Sequence, residues 1–355
     1  MIVELTPKYY SEYTQFVLMY KESWIYMSLK FKDLLEAYLK CTSNYMIYLD
    51  ENSKIQGVLP LMIMNGSSGK VINSLPFYGS NGGILASSSG AFNELFTWYN
   101  TFIKRSEVAS ATYIEHPLLT YDIPKINSQF IDRRISQITN ISEADNLMDI
   151  FHYKTRNMVR KAIKNNIEVK VDNTALPFLI KTHQNNMKSI GGIAKDDSFF
   201  YQLENHLEEG NDFNIYVAYL NGVKIAALLI LYFNKTVEYF TPVIVQDYRH
   251  LQPLSLIIYK AMQNAKDKGY FYWNWGATWI SQEGVYRFKK RWGAKDTYYN
   301  YYTTLNNSSI LSQTPNYFLN EYKNFYVVPF TELIATKRSR RKKTNSPKPI
   351  LHKVE

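Results

Sequence analysis

The stretch GVYRFKKRWGA, Gly284 to Ala294, sets Arg287, Lys289, Lys290 and Arg291 among Tyr286, Phe288 and Trp292. Helical spacing sorts this mixture. Val285, Phe288 and Trp292 share one side, and Arg287, Lys290 and Arg291 point away from it. Lys289 lies at the edge of the apolar stripe. There it either looks into a cleft or packs its stem and snorkels its head to water. Glu283 suits the first turn of this helix, and Gly293 suits the position just past its end.

A second cationic group is KTRNMVRKAIK, Lys154 to Lys164, which contains no acid. Arg156, Arg160 and Lys164 recur every four residues and form one stripe. Such a stripe holds a diphosphate or a nucleic-acid backbone, or it is a solvated face. The loop PFYGSNGGILASSSG can present backbone N–H groups to an anion. It matches neither the phosphate-loop pattern nor the dinucleotide fingerprint. Asp247, Tyr272, Tyr286 and His250 are the candidate bases, and Arg249 beside His250 favours the neutral imidazole. Cys41 is the only cysteine. This excludes a disulfide framework and a Cys-based zinc site, and no metal is expected.

Two segments would position these residues, and they look like copies. YMIYLDENSKIQGVLPLMIM and IYVAYLNGVKIAALLILYF each read as a short strand, a turn and a longer apolar strand. Asn221-Gly222 is a strong hairpin signal. Each copy continues as strand, loop, helix and strand: VINSLPF to ATYIEH in the first, TVEYFTPVI to YFYWNWG in the second. Pro253 marks a helix start and Gly269 a helix end. The pattern predicts an α/β (α+β) chain of two tandem domains with mixed, mostly antiparallel sheets. The expected boundaries are 1–145, 146–308, a packed C-terminal segment 309–336 and a basic, disordered tail 337–355.

The 355 residues carry a net charge of +10. Lys337 to Glu355 hold eight lysines and arginines against one glutamate, so most of that excess sits in the tail. Such a tail touches anionic lipid or nucleic acid, or is merely solvated. The N-terminus has no basic region followed by an apolar one. The longest apolar run, Ile225 to Phe233, is too short to cross a bilayer. A cytoplasmic protein is expected, peripheral at the inner face of the membrane if the tail binds lipid.

The pieces TRNMVRKAIKNNIEVKV, DYRHLQPLSLIIYKAMQNAKDKGYFYWNWGAT and GVYRFKKRWGAKDTYYNYY, with SLPFYGSNGGIL upstream, resemble the FemABX family of peptidoglycan-bridge aminoacyltransferases and its acetyltransferase relatives. That resemblance implies two GNAT-like domains and acyl transfer to an amine. The donor would be an acyl-CoA or an aminoacyl-tRNA, and the acceptor a nucleotide- or lipid-linked envelope precursor. The family's phenylalanine-lysine pair falls on Phe288 and Lys289, with Tyr286 beside them. Lys289 would meet the donor's phosphate or the developing oxyanion. Arg156 or Arg160, Trp24, Tyr26, Lys30, Tyr78 and Asn81 would face the acceptor. Arg249, Leu254, Ser255, Asn274 and Gly276 would face the donor. Two departures stand out. QDYRHLQPLSL lacks the glycine-rich turn that holds coenzyme A in ordinary GNAT enzymes, and no long charged helical hairpin is present. The rival reading is a non-catalytic GNAT-fold protein that binds nucleic acid or anionic membrane through its basic surfaces.

Overall fold

The structure, a computed structural model, describes residues 1–75, 82–119, 121, 126, 128–278 and 282–334. Tyr78, Asn81 and the tail from Lys337 lie outside the described residues.

The first half contains β1 (Ile2–Glu4), α1 (Tyr10–Met19), α2 (Leu29–Leu39), β2 (Thr42–Ser43), β3 (Met46–Leu49), β4 (Ile55–Leu59), β5 (Met62–Gly66), β6 (Gly69–Asn73), β7 (Leu85–Ala86), α3 (Ser89–Phe102) and β8 (Val108–Ile114). β9 (Phe130–Asn140), α4 (Leu147–Ile150) and α5 (Tyr153–Lys164) lead into the second half. There follow β10 (Glu168–Val171), α6 (Leu176–Ser189), α7 (Asp197–His206), β11 (Phe213–Leu220), β12 (Val223–Phe233), β13 (Thr236–Ile244), α8 (Pro253–Asp267), β14 (Tyr272–Thr278), α9 (Glu283–Lys290), β15 (Lys295–Leu305) and α10 (Pro315–Glu321).

The duplication holds in three dimensions. β6 and β8 run parallel and are joined through α3; β13 and β14 run parallel and are joined through α8. Every other strand pairing among the described residues is antiparallel, apart from one isolated bridge. Both halves contribute to one 11-stranded sheet, ordered β10-β11-β12-β13-β14-β9-β15-β8-β6-β5-β2. β15 pairs with both β8 and β9, so the last strand of the second half stitches the halves together. A boundary near residue 145 falls between β9 and α4, although the sheet runs through it.

The hairpin signal acts as expected. Asn221 and Gly222 both have positive φ (50° and 78°), which suits a tight turn between Leu220 and Val223. One expectation is corrected. The apolar run Ile55 to Met64 is two strands, not one. Pro60 has no N–H to offer a ladder, and the chain leaves a separate four-stranded sheet at Leu59 and enters the large one at Met62. The segment VQDYRHLQ, read as a loop, contains a 3-10 helix over Gln246–Leu251.

Residues after 309 pack back on the first half. Tyr322 donates its hydroxyl to the Gly69 carbonyl, Ser110 donates to the Val327 carbonyl, and Leu333 is fully buried.

Candidate active site

The site begins where two strands part. β13 and β14 pair only from Thr236–Tyr272 to Glu238–Asn274. Beyond this point β13 stays with β12 and β14 with β9. The diverging edges form a wedge. Its backbone N–H and C=O groups are left outside the parallel ladder, and such groups need partners when covered. An extended ligand can satisfy them with its own amides or carbonyls.

Glu238 is the last residue of that ladder on β13. Strand alternation turns Val237, Tyr239, Trp273 and Trp275 to one face, where they join a core with Trp292 and Phe151. Glu238, Phe240 and Asn274 take the opposite side. Glu238 is 3% exposed. Its Oε2 accepts from the Tyr26 hydroxyl at 3.1 Å, and its Oε1 accepts from Asn274 Nδ2 at 3.1 Å. Burial disfavours the charged carboxylate and pushes its pKa up to about 8, against the two hydrogen bonds, which favour ionisation. A carboxyl with that pKa exchanges a proton near neutrality, as a general base must.

Lys289 reaches the same place from behind β14. It is 5% exposed. Its Nζ donates to Thr278 Oγ1 at 2.8 Å and to the carbonyls of Gly276 and Ala277 at 3.0 Å each. These carbonyls turn toward the helix because β14 bulges between Asn274 and Ala277. Gly276 carries φ +71°, a conformation that suits glycine. Burial lowers the Lys289 pKa to about 8. The bulge also closes a relay. The Gly276 N–H donates to Asn274 Oδ1 at 2.9 Å, so Lys289, Gly276, Asn274 and Glu238 form one hydrogen-bonded chain.

Helix α9 is held by rings. Phe288 packs edge-on to Trp275 and Trp292, with ring centroids 5.8 and 6.3 Å apart. Val285 is 42% exposed and does not anchor the helix as its spacing suggested. The helix ends at Lys290, and Trp292, beyond it, supplies the anchor instead. Tyr286 is tied down by a hydroxyl bond to Asp296 Oδ2 at 2.7 Å.

The structure thus gathers Tyr26, Asn274, Gly276 and Lys289 around Glu238, with Phe288 bracing the helix. Other expected contacts lie elsewhere. Trp24 is fully buried against the His116 ring, 4.4 Å between centroids, and is a core residue. Lys30 pairs with Asp212 at 2.5 Å on the surface. Arg156 donates to the Phe151 carbonyl at 2.7 Å and braces the start of α5, while Arg160 stays exposed. Arg156 is thus half-buried and partly committed to the backbone, while Arg160 and Lys164 stay exposed along the same helix. At the start of α8, the Ser255 N–H already donates to the Gln252 carbonyl at 3.1 Å, and the Ser255 side chain is buried. Leu254 is half-buried there. Arg249 is exposed on the preceding 3-10 helix. His250 and Asp247 are exposed too, and the His250 ring is bonded to the Asp247 carbonyl.

Two functional candidates escape the sequence reading. Glu238 is one; a single acid in TVEYFTPVI is its only signal. Lys195 is the other. Its Nζ lies 5.0 Å over the ring of Phe240, two residues along β13 from Glu238, and burial lowers its pKa to about 8. Among the described residues no group of His, Cys, Asp and Glu is arranged to hold a metal ion.

The first half carries a counterpart of this wedge in a different state. Its parallel ladder ends at Asn73–Thr112. Asn73, at the register position of Glu238, donates to the Tyr326 carbonyl and accepts from the Tyr326 N–H, both at 2.8 Å. The chain's own C-terminal segment occupies that position.

Residues 152–290 match the family described as Acetyltransferase (GNAT) domain. No curated protein sequence matches the chain. Among solved structures, FemX superposes with a TM-score of 0.68 at 14% identity, over 87% of this chain and 98% of that one. A tandem GNAT protein from the clavulanic acid biosynthesis pathway gives 0.52 at 9% identity, over 86% and 98%. The C-terminal domain of a putative lysylphosphatidylglycerol synthetase from Agrobacterium fabrum gives 0.52 at 10% identity, over 90% and 99%. The fold is that of two tandem GNAT-like domains, as the duplicated pattern predicts, and the second contains the wedge.

Proposed function

We propose, for a chain whose residues 152–290 match the family described as Acetyltransferase (GNAT) domain, that the wedge beside Glu238 transfers an acyl or aminoacyl group to an amine of a cell-envelope precursor. The observation that carries this reading is the buried carboxyl at the apex of the wedge, where β13 and β14 part, hydrogen-bonded to Tyr26 and Asn274 and poised near neutral pH. It also argues against the non-catalytic alternative. A buried, desolvated carboxyl has no use in a protein that binds polyanions through its outer surface, and isolated buried acids are costly.

The chemistry follows from the geometry. The donor acyl group lies along the diverging strands, where backbone N–H groups can hold its carbonyl oxygen as charge develops. The acceptor enters from the Tyr26 and Phe240 side. Glu238 takes the proton from the attacking ammonium. The amine nitrogen forms a C–N bond to the acyl carbon, the donor's C–S or C–O bond breaks, and the leaving atom takes up a proton. Lys289 acts through Gly276 and Asn274: it fixes the bulge that presents Asn274 to the carboxyl. It is a positioning residue in this arrangement. Lys195, over Phe240, suits an anionic part of the acceptor.

The donor is an acyl-CoA or an aminoacyl-tRNA; without a charged helical arm, the chain favours the acyl thioester. Arg249 and the Leu254 N–H offer the donor-side anion contacts. The units of function are 1–145 and 146–308, and the setting is cytoplasmic. Mass spectrometry after incubation with acyl-CoAs or charged tRNA and amino sugars tests the reading. An acylated amine supports it; the absence of product across both donor classes sinks it.

A further inference from the structure

Lys289 is held from two sides. One side is the β14 bulge. The other is a buried amide on β9 that the acyl-transfer scheme does not use. Gln137 and Thr278 are both fully buried. The Thr278 hydroxyl accepts from Lys289 Nζ at 2.8 Å and donates its own hydrogen to Gln137 Oε1 at 2.8 Å. Gln137 Nε2 donates onward to Asp296 Oδ1 and to the Tyr286 carbonyl, both at 3.3 Å. The other Asp296 oxygen accepts from the Tyr286 hydroxyl at 2.7 Å and lies 3.5 Å from Lys290 Nζ.

These bonds run in one direction. The three N–H donors of the Lys289 ammonium are all used, on Gly276, Ala277 and Thr278. Turning the Gln137 amide over would set its oxygen against a carboxylate and a carbonyl, with no hydrogen between them. The amide therefore has one orientation, and through Thr278 it fixes the third bond of Lys289. It also ties β9, β14 and β15 to three residues of α9: Tyr286, Lys289 and Lys290. A leucine of similar size would fill the space but would leave the Thr278 hydroxyl without this acceptor. We infer that Gln137 is a positioning residue for the proposed transfer: by orienting Thr278 and docking α9, it keeps Lys289 on the bulge that presents Asn274 to Glu238. The consequence for rate rests on the acyl-transfer reading; the consequence for the Glu238 carboxyl does not.

The test uses the full chain with Gln137→Leu, with Thr278→Val, and with each combined with Lys289→Met. Thr278→Val keeps a β-branched residue in the strand and deletes only the linking hydroxyl, so it carries the test if the Gln137 variant does not fold. The expected result is a kcat about three- to tenfold lower at pH 7 and a rising limb of kcat/KM displaced to higher pH. Each double variant should stay within about twofold of Lys289→Met at every pH. An unmoved limb overturns the inference, as does a double variant whose losses simply multiply. Stability against pH, followed by urea unfolding, reads the same displacement without turnover. The Glu238 contribution to stability is lost between its unfolded and folded pKa values. A looser Asn274 should extend that loss to higher pH in Gln137→Leu, but not when Glu238→Gln is also present. A displaced loss without any product sinks the acyl-transfer reading and keeps Gln137 as the residue that sets the carboxyl. A loss that ends at the parent's pH overturns the inference whether or not product forms.

Discussion

Glu238 and Lys289 sit behind different strands yet share one hydrogen-bonded chain: the lysine binds the Gly276 carbonyl, the Gly276 N–H binds Asn274, and Asn274 binds the carboxyl. The two side chains do not touch. The bulge in β14 lets the lysine hold the turn that presents Asn274 to the carboxyl, and a glycine at positive φ makes that bulge possible.

Lys289→Met keeps the stem and removes the charge. It also frees the Gly276 and Ala277 carbonyls, so the bulge that holds Asn274 against Glu238 loosens. Losing that hydrogen bond, which favours the ionised carboxyl, raises the Glu238 pKa. The rising limb of kcat/KM against pH should therefore move upward, with kcat reduced about tenfold or more at pH 7. A variant slowed equally at every pH would show that Lys289 acts independently of Glu238.

Tyr26→Phe keeps a buried ring and deletes one donor to Glu238. That donor favours the ionised carboxyl, so its removal also shifts the limb to higher pH. Leaving the buried Glu238 Oε2 without this donor should cost about 1–3 kcal/mol in urea unfolding. A pH profile identical to that of the parent would remove Tyr26 from the site.

Trp24→Ala separates core from ligand contact. The indole is fully buried, and its loss should cost about 3–5 kcal/mol of stability, read by urea denaturation. In whatever fraction remains folded, KM for the acceptor should be unchanged. A raised KM at unchanged stability would restore Trp24 to the acceptor site.

Stability should also report on Glu238. Its folded pKa, about 8, lies above the unfolded value, so the native state holds a proton that the unfolded chain has released. This contribution is full below the unfolded pKa and is lost as pH rises toward 8. Glu238→Gln should therefore flatten the fall in stability between about pH 5 and pH 8. Parallel stability curves for parent and variant would mean that the carboxyl titrates normally.

Much of the fold was readable from the sequence because its signals are local. Asn221-Gly222, Pro253 and Gly269 mark element ends by backbone preference alone, and the repeated order of elements exposes the duplication. The site was less readable because its parts meet only in the tertiary structure. Tyr26 and Glu238 are 212 residues apart. An acid in a strand pattern suggests a solvated face, but the Trp24–Met27 segment, whose four side chains are all buried, brings Tyr26 against this one. Helical spacing narrowed the basic cluster to Lys289, yet it also assigned Val285 to the core. That error came from extending the helix to Trp292, when it ends at Lys290. Pro60 was available as a break signal in the run from Ile55 to Met64, and its missing N–H explains the division found there.

The most direct measurement is the pH dependence of acyl transfer by the parent and by Glu238→Gln, with product followed by mass spectrometry. The parent should show kcat/KM rising with pH to a plateau governed by a group of pKa about 8. The variant should lose that limb and fall by about 10² to 10⁴-fold on the plateau. A variant that keeps both the limb and the rate would show that the proton leaves by another route and that Glu238 is not the base.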